Sequence, residues 1–360
     1  MGLIRFILAI GVVFSHAGMA FGFTSLGGSV AVQAFFIISG FYIALILNEK
    51  YIEQNNSYQL FISNRFLRIY PIYWVVLILT LLSAFLFSML GSQQYFITYS
   101  MFQKYGDGMT IGSWLMMIFS NIFVFFQDTF MFLGFDTTDG SLFFTANFKL
   151  SSPKLHHFLF IAQAWSIALE VMFYLIAPFI ARKKTQTILL FIICSLGLRL
   201  MLYYSFNLQH DPWTSRFFPT ELIFFLLGIL AYRIYDKIKH RKFNIVFLRS
   251  TFITVILFSL FYRYLPIPAK SIVYFAVFFG ALPFIFILSK NWKTDRQIGE
   301  LSYPIYISHI FVLSWVGVFQ LPSKSWRTII VIALSIVFAY VLNKIVGEKI
   351  EKIRQNRIKK

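Results

Sequence analysis

The chain carries one cysteine, Cys194, and only 14 acidic residues in 360. One thiol forms no intrachain disulfide, and its setting in an apolar run argues against a thiolate metal site. Charged residues make up 13% of the sequence, where a soluble domain averages about 25%. A Gly-rich phosphate loop, a helical zinc-binding histidine pair and a Gly-x-Ser-x-Gly elbow are all missing, so no chemistry built on those devices is expected, and no metal. Low-complexity segments and usable internal repeats are absent too. What is abundant is apolar surface: 58% hydrophobic residues, with 46 Phe and 19 Tyr. A water-soluble globule must cover itself with polar atoms and has no room to hide so many rings. Soluble enzyme, secreted disulfide scaffold and disordered chain are thereby excluded, leaving a polytopic membrane protein.

A spanning helix needs about 20 mostly apolar residues. Windows of that size fall near 3–22, 29–48, 70–90, 163–181 and 186–205, and again near 217–235, 245–264, 270–289, 303–320 and 326–346. The expected fold is an all-α integral membrane protein, a bundle of about ten transmembrane helices. One integral domain, 1–346, is followed by a basic tail, 347–360. The stretch 111–126 is short and broken by Ser120 and Asn121, and reads as re-entrant or interfacial. With ten spans, 23 of the 32 Lys and Arg lie on the side of the termini, eight on the other and Arg199 within a span. The positive-inside rule then makes both termini cytoplasmic in the cell's inner (plasma) membrane and puts the segment 91–162 outside. The net charge of +18 is accordingly a topology signal, with membrane lipid as a partner and no nucleic acid. Although Arg5 precedes an apolar run, His16 interrupts it and no small-residue cleavage site follows, so a signal peptide is not expected.

Ionisable side chains within spans are expensive and mark function by default. They are Arg5, His16, Glu170, Arg199, Glu221 and His309. Arg5 and His16 stand eleven residues apart; at ~100° per residue they project from one helix face, ~16 Å apart along the axis. His16 bonding across a helix interface while Arg5 snorkels to lipid phosphate is the plainer reading. Arg65 and Arg68 share a face at i and i+3, just before Pro71 opens the third span. They suit either a phosphate clamp or ordinary membrane anchoring. Glu170 is expected at the depth of His16, where a carboxylate would fix the imidazole's tautomer and raise its basicity; an ion pair with Arg199 is the alternative. Arg216 and Glu221, five residues apart, are poorly placed for an intrahelical pair and are each candidates to face a substrate. His309 is either a substrate contact or a packed interhelical histidine. The adjacent His156 and His157 are expected to diverge into solvent.

Taken together, the motifs resemble the membrane acyltransferase family 3, which includes O-antigen and exopolysaccharide O-acyltransferases. They are Arg5-x10-His16, Phe35-Phe36-Ile37-Ile38-Ser39-Gly40-Phe41, Arg65-x-x-Arg68-Ile69-Tyr70-Pro71, Trp165-Ser166-x-x-x-Glu170-x-x-Phe173-Tyr174, Arg216-x-x-Pro219 leading into Leu226-Leu227-Gly228, and Leu301-Ser302-Tyr303-Pro304-Ile305-Tyr306-x-x-His309. Each alone is weak; in this order, from the first span to the ninth, they are strong. After Trp165-Ser166 the chain reads Ile-Ala-Leu-Glu where the family often has Leu-Ser-Val-Glu, which keeps the carboxylate and drops a hydroxyl.

The resemblance implies ten transmembrane helices, acetyl-CoA or another acyl-CoA as cytoplasmic donor, and a sugar hydroxyl of a surface or lipid-linked glycan as acceptor. It makes His16 the catalytic histidine with Arg5 its motif partner, and Arg65 and Arg68 the CoA-phosphate contacts. Glu170 would orient His16; direct transfer and an acyl-histidine relay are both chemically allowed. Some relatives carry an esterase-like C-terminal domain. This chain ends in a basic tail, so it is expected to act alone or to pass its acyl group to a separate partner protein. The rival reading is a transporter of a lipid-linked or small anionic substrate, with the buried charges lining a path. A structural scaffold is a weaker third.

Overall fold

A computed structural model describes residues 1–50, 57–91 and 96–359; parts of the segments 91–162 and 347–360 therefore lie outside the described residues. Among those described, nine helices are long and apolar enough to cross a membrane. They belong to α2 (Gly28–Glu49), α3 (Ser57–Met89), α6 (Trp165–Ile180), α7 (Thr185–Tyr204), α8 (Phe218–Ile238), α9 (Ile245–Phe261), α10 (Lys270–Ser289), α12 (Ser302–Val318) and α13 (Lys324–Leu342). The first helix, α1 (Gly2–Ala17), has only 16 residues but runs between the ends of the bundle. At one end Asp295, in α11 (Lys293–Glu300), accepts the N–H groups of Gly2 and Leu3, satisfying donors that a helix start leaves open. At the other, the Ala17 carbonyl accepts from Thr328 Oγ1, in the second turn of α13. The nine candidate spans among the described residues give the expected multi-pass, all-α architecture, with α1 a shorter apolar helix beside them.

Three boundaries differ from the sequence windows, each for a local reason. α1 stops at Ala17 because Gly18 turns to positive φ (99°), and Phe21 and Gly22 follow it there (49° and 79°); only glycine enters this region cheaply. α3 starts at Ser57, and Pro71 lies inside it rather than opening it. The turns before the proline bury Phe61, Asn64 and Arg65, and a membrane bundle tolerates the lost backbone bond. The segment read as a basic tail is a helix, α14 (Glu348–Lys359), lying back on α3 with Arg357 Nη2 2.9 Å from Ser63 Oγ.

The tightest helix pair is α2 with α8. A Cβ on Gly40 would come within 2.0 Å of the Phe225 carbonyl oxygen, and one on Gly228 within 2.1 Å of that of Ile37. Two glycines thus bring the backbones into contact, the usual device for helix association where lipid removes the hydrophobic driving force.

The segment between α3 and α6 contains α4 (Ile97–Tyr105), α5 (Ile111–Phe123) and a two-stranded hairpin, β1 (Leu133–Phe135) with β2 (Leu142–Phe144). α5 is not a crossing. Its last carbonyls, of Asn121, Ile122 and Phe123, accept from Tyr73, Trp74 and Tyr70, midway along α3. The chain reverses there through Val124 and Phe126, both at positive φ (63° and 65°). Three aromatic donors replace the hydrogen bonds that a helix C-terminus lacks. The groove of about 630 Å³ between α5 and the following turn is lined almost wholly by Leu, Met and Phe and offers no reactive group.

Candidate active site

The site is built on α1, and its two halves have different neighbours. Near the start of α1, the partly exposed Arg5 lies within direct charge interaction of Arg68 on α3, Tyr42 on α2, and Glu170 and Tyr174 on α6. Its guanidinium has no hydrogen-bond partner among the described residues. Arg65 and Arg68 separate in burial. Arg65 is buried, its guanidinium carbon 5.8 Å from the Phe61 ring centroid and 6.0 Å from that of Tyr174, whereas Arg68 is exposed. Sharing a helix face therefore does not give the two guanidiniums equal access to an anion. Arg68 and Arg5 present charge, and Arg65 packs beneath them.

Glu170 accepts hydrogen bonds from Ser39 Oγ (2.6 Å) and from the Tyr174 hydroxyl. Ser39 on α2 thus supplies a hydroxyl to this carboxylate, at whose own helix the Ile-Ala-Leu-Glu sequence has none at the serine position. The expected Glu170–His16 pair is not formed. No hydrogen bond, ion pair or ring contact joins them, because Glu170 faces α2 and the Arg5 half of the site. Nor does Glu170 pair with Arg199. Arg199 Nη2 lies 2.5 Å from Glu221 Oε1, and the fully buried Glu221 also accepts from Gln33 Nε2 at 3.1 Å. Glu221 is thereby engaged in tying α2, α7 and α8 together, apart from His16.

His16 occupies the last turn of α1. Its ring is exposed and makes no hydrogen bond among the described residues. The neighbouring ring is that of His309, from α12, at 5.0 Å between centroids and 48° between planes. His309 is fully buried, with Nδ1 2.7 Å from the Tyr306 carbonyl oxygen. That turn of α12 is pinned to the start of α6. The Tyr306 hydroxyl bonds the Gln163 carbonyl (2.7 Å) and Ser166 Oγ (2.6 Å), while Gln163 Nε2 donates to the Ile307 carbonyl (2.7 Å). Tyr306 is an electrostatic neighbour of both Glu170 and Arg216.

Arg216 completes the His16 half. Asp211 holds it through Nε (2.7 Å) and Nη2 (3.1 Å), and its guanidinium carbon lies 4.2 Å from the Trp165 ring centroid. Nη1 is buried without a partner, leaving its N–H groups for a ligand. His156 comes close as well. Instead of pointing into solvent, its ring meets those of His157 (4.6 Å) and Phe148 (5.4 Å). Burial, then the charges of His157 and Arg216, push its pKa down to about 3, so it stays neutral at physiological pH. Sequence reading missed Asp211, Ser39, Tyr306 and Gln163 as parts of the site. Tyr306 and Ser39 stand within motifs already quoted; Asp211 and Gln163 carry no signal of their own. Among the described residues no group of three or more His, Cys, Asp or Glu is placed to hold a metal.

A polytopic helical bundle with an exposed imidazole, an arginine within charge interaction of it, and Arg5 near the opposite end of the same helix within charge interaction of Arg68 on α3 has the parts of a membrane-embedded group-transfer enzyme. The model of the acyltransferase 3 family, described as an acyltransferase domain, matches residues 1–344. The chain belongs to this family, whose description supports an acyl-transferring enzyme over the transporter and scaffold readings. It is similar to the peptidoglycan O-acetyltransferase OatA of Listeria monocytogenes serovar 1/2a (strain ATCC BAA-679 / EGD-e), at 24% identity over an alignment 378 positions long. The alignment covers 97% of this chain and 55% of the relative, so the chain spans about half the length of that protein. No solved structure matches it significantly.

Proposed function

We propose that this acyltransferase moves an acyl group, most simply acetyl, from acyl-CoA to a sugar hydroxyl of a glycan on the other side of the membrane. One observation carries the reading: Arg5, within charge interaction of Arg68, and His16, within charge interaction of Arg216, lie at opposite ends of one short helix. Their separation along α1, ~16 Å, is of the order of an extended pantetheine arm. A donor whose phosphates engage Arg68 and Arg5 would present its thioester near His16. Positive-inside charge supports a cytoplasmic Arg5 end, the side on which acyl-CoA is made.

The chemistry then follows from the groups present. The acceptor hydroxyl attacks the thioester carbonyl as an imidazole nitrogen of His16 takes its proton. The negative charge that grows on the carbonyl oxygen is met by Arg216 Nη1, a buried donor held in place by Asp211 and Trp165. When the C–S bond breaks, the CoA thiolate leaves and recovers the proton from His16; an ester and free CoA result. Peptidoglycan is named for the relative, and a cell-wall amino sugar is accordingly the first acceptor to try. In the cell, the bound glycan of strains with and without the protein is compared by mass spectrometry. A mass increase of one acyl group per modified sugar, seen only with the protein, is expected; identical spectra with the protein present in the membrane would contradict the proposal.

A further inference from the structure

We infer that His309 is the positioning residue for His16, occupying the place that a carboxylate takes in an ordinary histidine–carboxylate pair. The inference rests on the reading of His16 as the base in acyl transfer.

A carbonyl oxygen only accepts hydrogen bonds. With Nδ1 2.7 Å from the Tyr306 carbonyl oxygen, His309 must carry its hydrogen on Nδ1 and expose a bare lone pair on Nε2. Nε2 is buried and has no partner among the described residues. A buried acceptor left open is costly, and the polar ring next to it is that of His16, 5.0 Å away between centroids. Two imidazoles joined by an N–H···N bond of about 2.9–3.0 Å have centroids about 5 Å apart. Closing that bond would need the His16 ring to turn one N–H toward Nε2, and His16 has no other hydrogen bond among the described residues to break.

The closed pair has a chemical consequence. Donating its N–H to His309 fixes His16 in one tautomer and leaves its second nitrogen bare for the acceptor hydroxyl. His309 takes no proton; it holds the ring while His16 gains one from the hydroxyl and returns it to the thiolate. The hydrogen bonds of Tyr306 to Gln163 and Ser166 keep its carbonyl, and hence His309, in register.

Two amides separate positioning from packing. Glutamine at 309 places an oxygen near Nε2, whereas asparagine reaches only as far as Nδ1 and can keep the Tyr306 contact alone. Purified His309→Gln, His309→Asn and His309→Leu proteins, each checked by thermal melting, are assayed for acyl transfer with kcat and KM for acetyl-CoA measured separately. The glutamine variant is expected within about tenfold of wild type in kcat. The asparagine and leucine variants should fall by about 100-fold or more at unchanged KM. Asparagine equal to or better than glutamine, or leucine equal to glutamine, would overturn the inference. Should these proteins not fold, ¹⁵N-histidine NMR of the wild type decides, with His16 assigned by difference from His16→Gln. One tautomer, its N–H bonded to an imidazole nitrogen, is expected; a tautomer mixture overturns it. Transfer by His16→Gln itself would instead remove the underlying reading of His16.

Discussion

Glu170 and Ser39 meet across the α2–α6 interface at 2.6 Å, and this contact takes the carboxylate away from His16. Neutralising Glu170 should then leave the pH dependence of His16 chemistry alone. Glu170→Gln can still accept from Ser39 and Tyr174 and should fold. Its kcat–pH profile is expected to keep the acidic limb of wild type to within a few tenths of a pH unit. A displacement of about one unit, the mark of a lost charge partner, would restore a Glu170–His16 dyad.

Arg65 and Arg68, three residues apart, should behave differently. Arg68→Ala removes an exposed guanidinium and is expected to weaken CoA binding by about 1.5–3 kcal/mol, with little change in melting temperature. Arg65→Ala opens space against Phe61 and Tyr174 and should lower stability first. Calorimetric titration with CoA, paired with thermal melts, separates them; equal loss of affinity without loss of stability would make both phosphate ligands.

Arg199 and Glu221 form a pair whose acidic partner is fully buried. Arg199→Leu strands that carboxylate and should cost about 3–5 kcal/mol, whereas the double variant Arg199→Leu/Glu221→Leu should recover most of the loss. Denaturation of the purified proteins in a mild detergent tests this. A double variant no more stable than Arg199→Leu would mean that Glu221 is not the group left uncompensated.

Asp128 lies beyond α5, outside the crossings, with its carboxyl pushed up to about 7 by burial. A carboxyl whose folded pKa exceeds its unfolded value favours the fold most at low pH, and this contribution is lost as pH rises through about 7. Asp128→Asn should consequently raise the melting temperature more at pH 8 than at pH 5. An equal change at both would place the carboxyl in contact with water.

Much of the bundle was legible because membrane thickness fixes the length of an apolar run: nine of the ten windows meet helices long enough to cross among the described residues, and the first meets the shorter α1. Helix ends were less legible. Gly18 outweighs the apolar residues after it, and Pro71 yields to the packing of Phe61 and Arg65, a competition between local and tertiary terms that hydropathy does not weigh. In the site, helical periodicity placed Arg5 and His16 on one face of α1. The partners of Glu170, Arg199 and His309 could not be read this way, since they depend on which neighbouring helix turns which face inward. Asp211, beside Arg216, belongs to an irregular segment with no periodicity to project it.

The central claim is that His16 is the base in acyl transfer, separate from the residues that hold the donor. The direct measurement pairs acetyl-CoA binding with initial rates of transfer to a cell-wall amino sugar, for wild type and His16→Gln. Glutamine can hydrogen-bond across the interface but takes no proton near neutral pH. His16→Gln is expected to bind acetyl-CoA as wild type does and to transfer at a rate lower by about 100-fold or more. Substantial turnover by a folded His16→Gln protein would contradict the account and make the histidine structural.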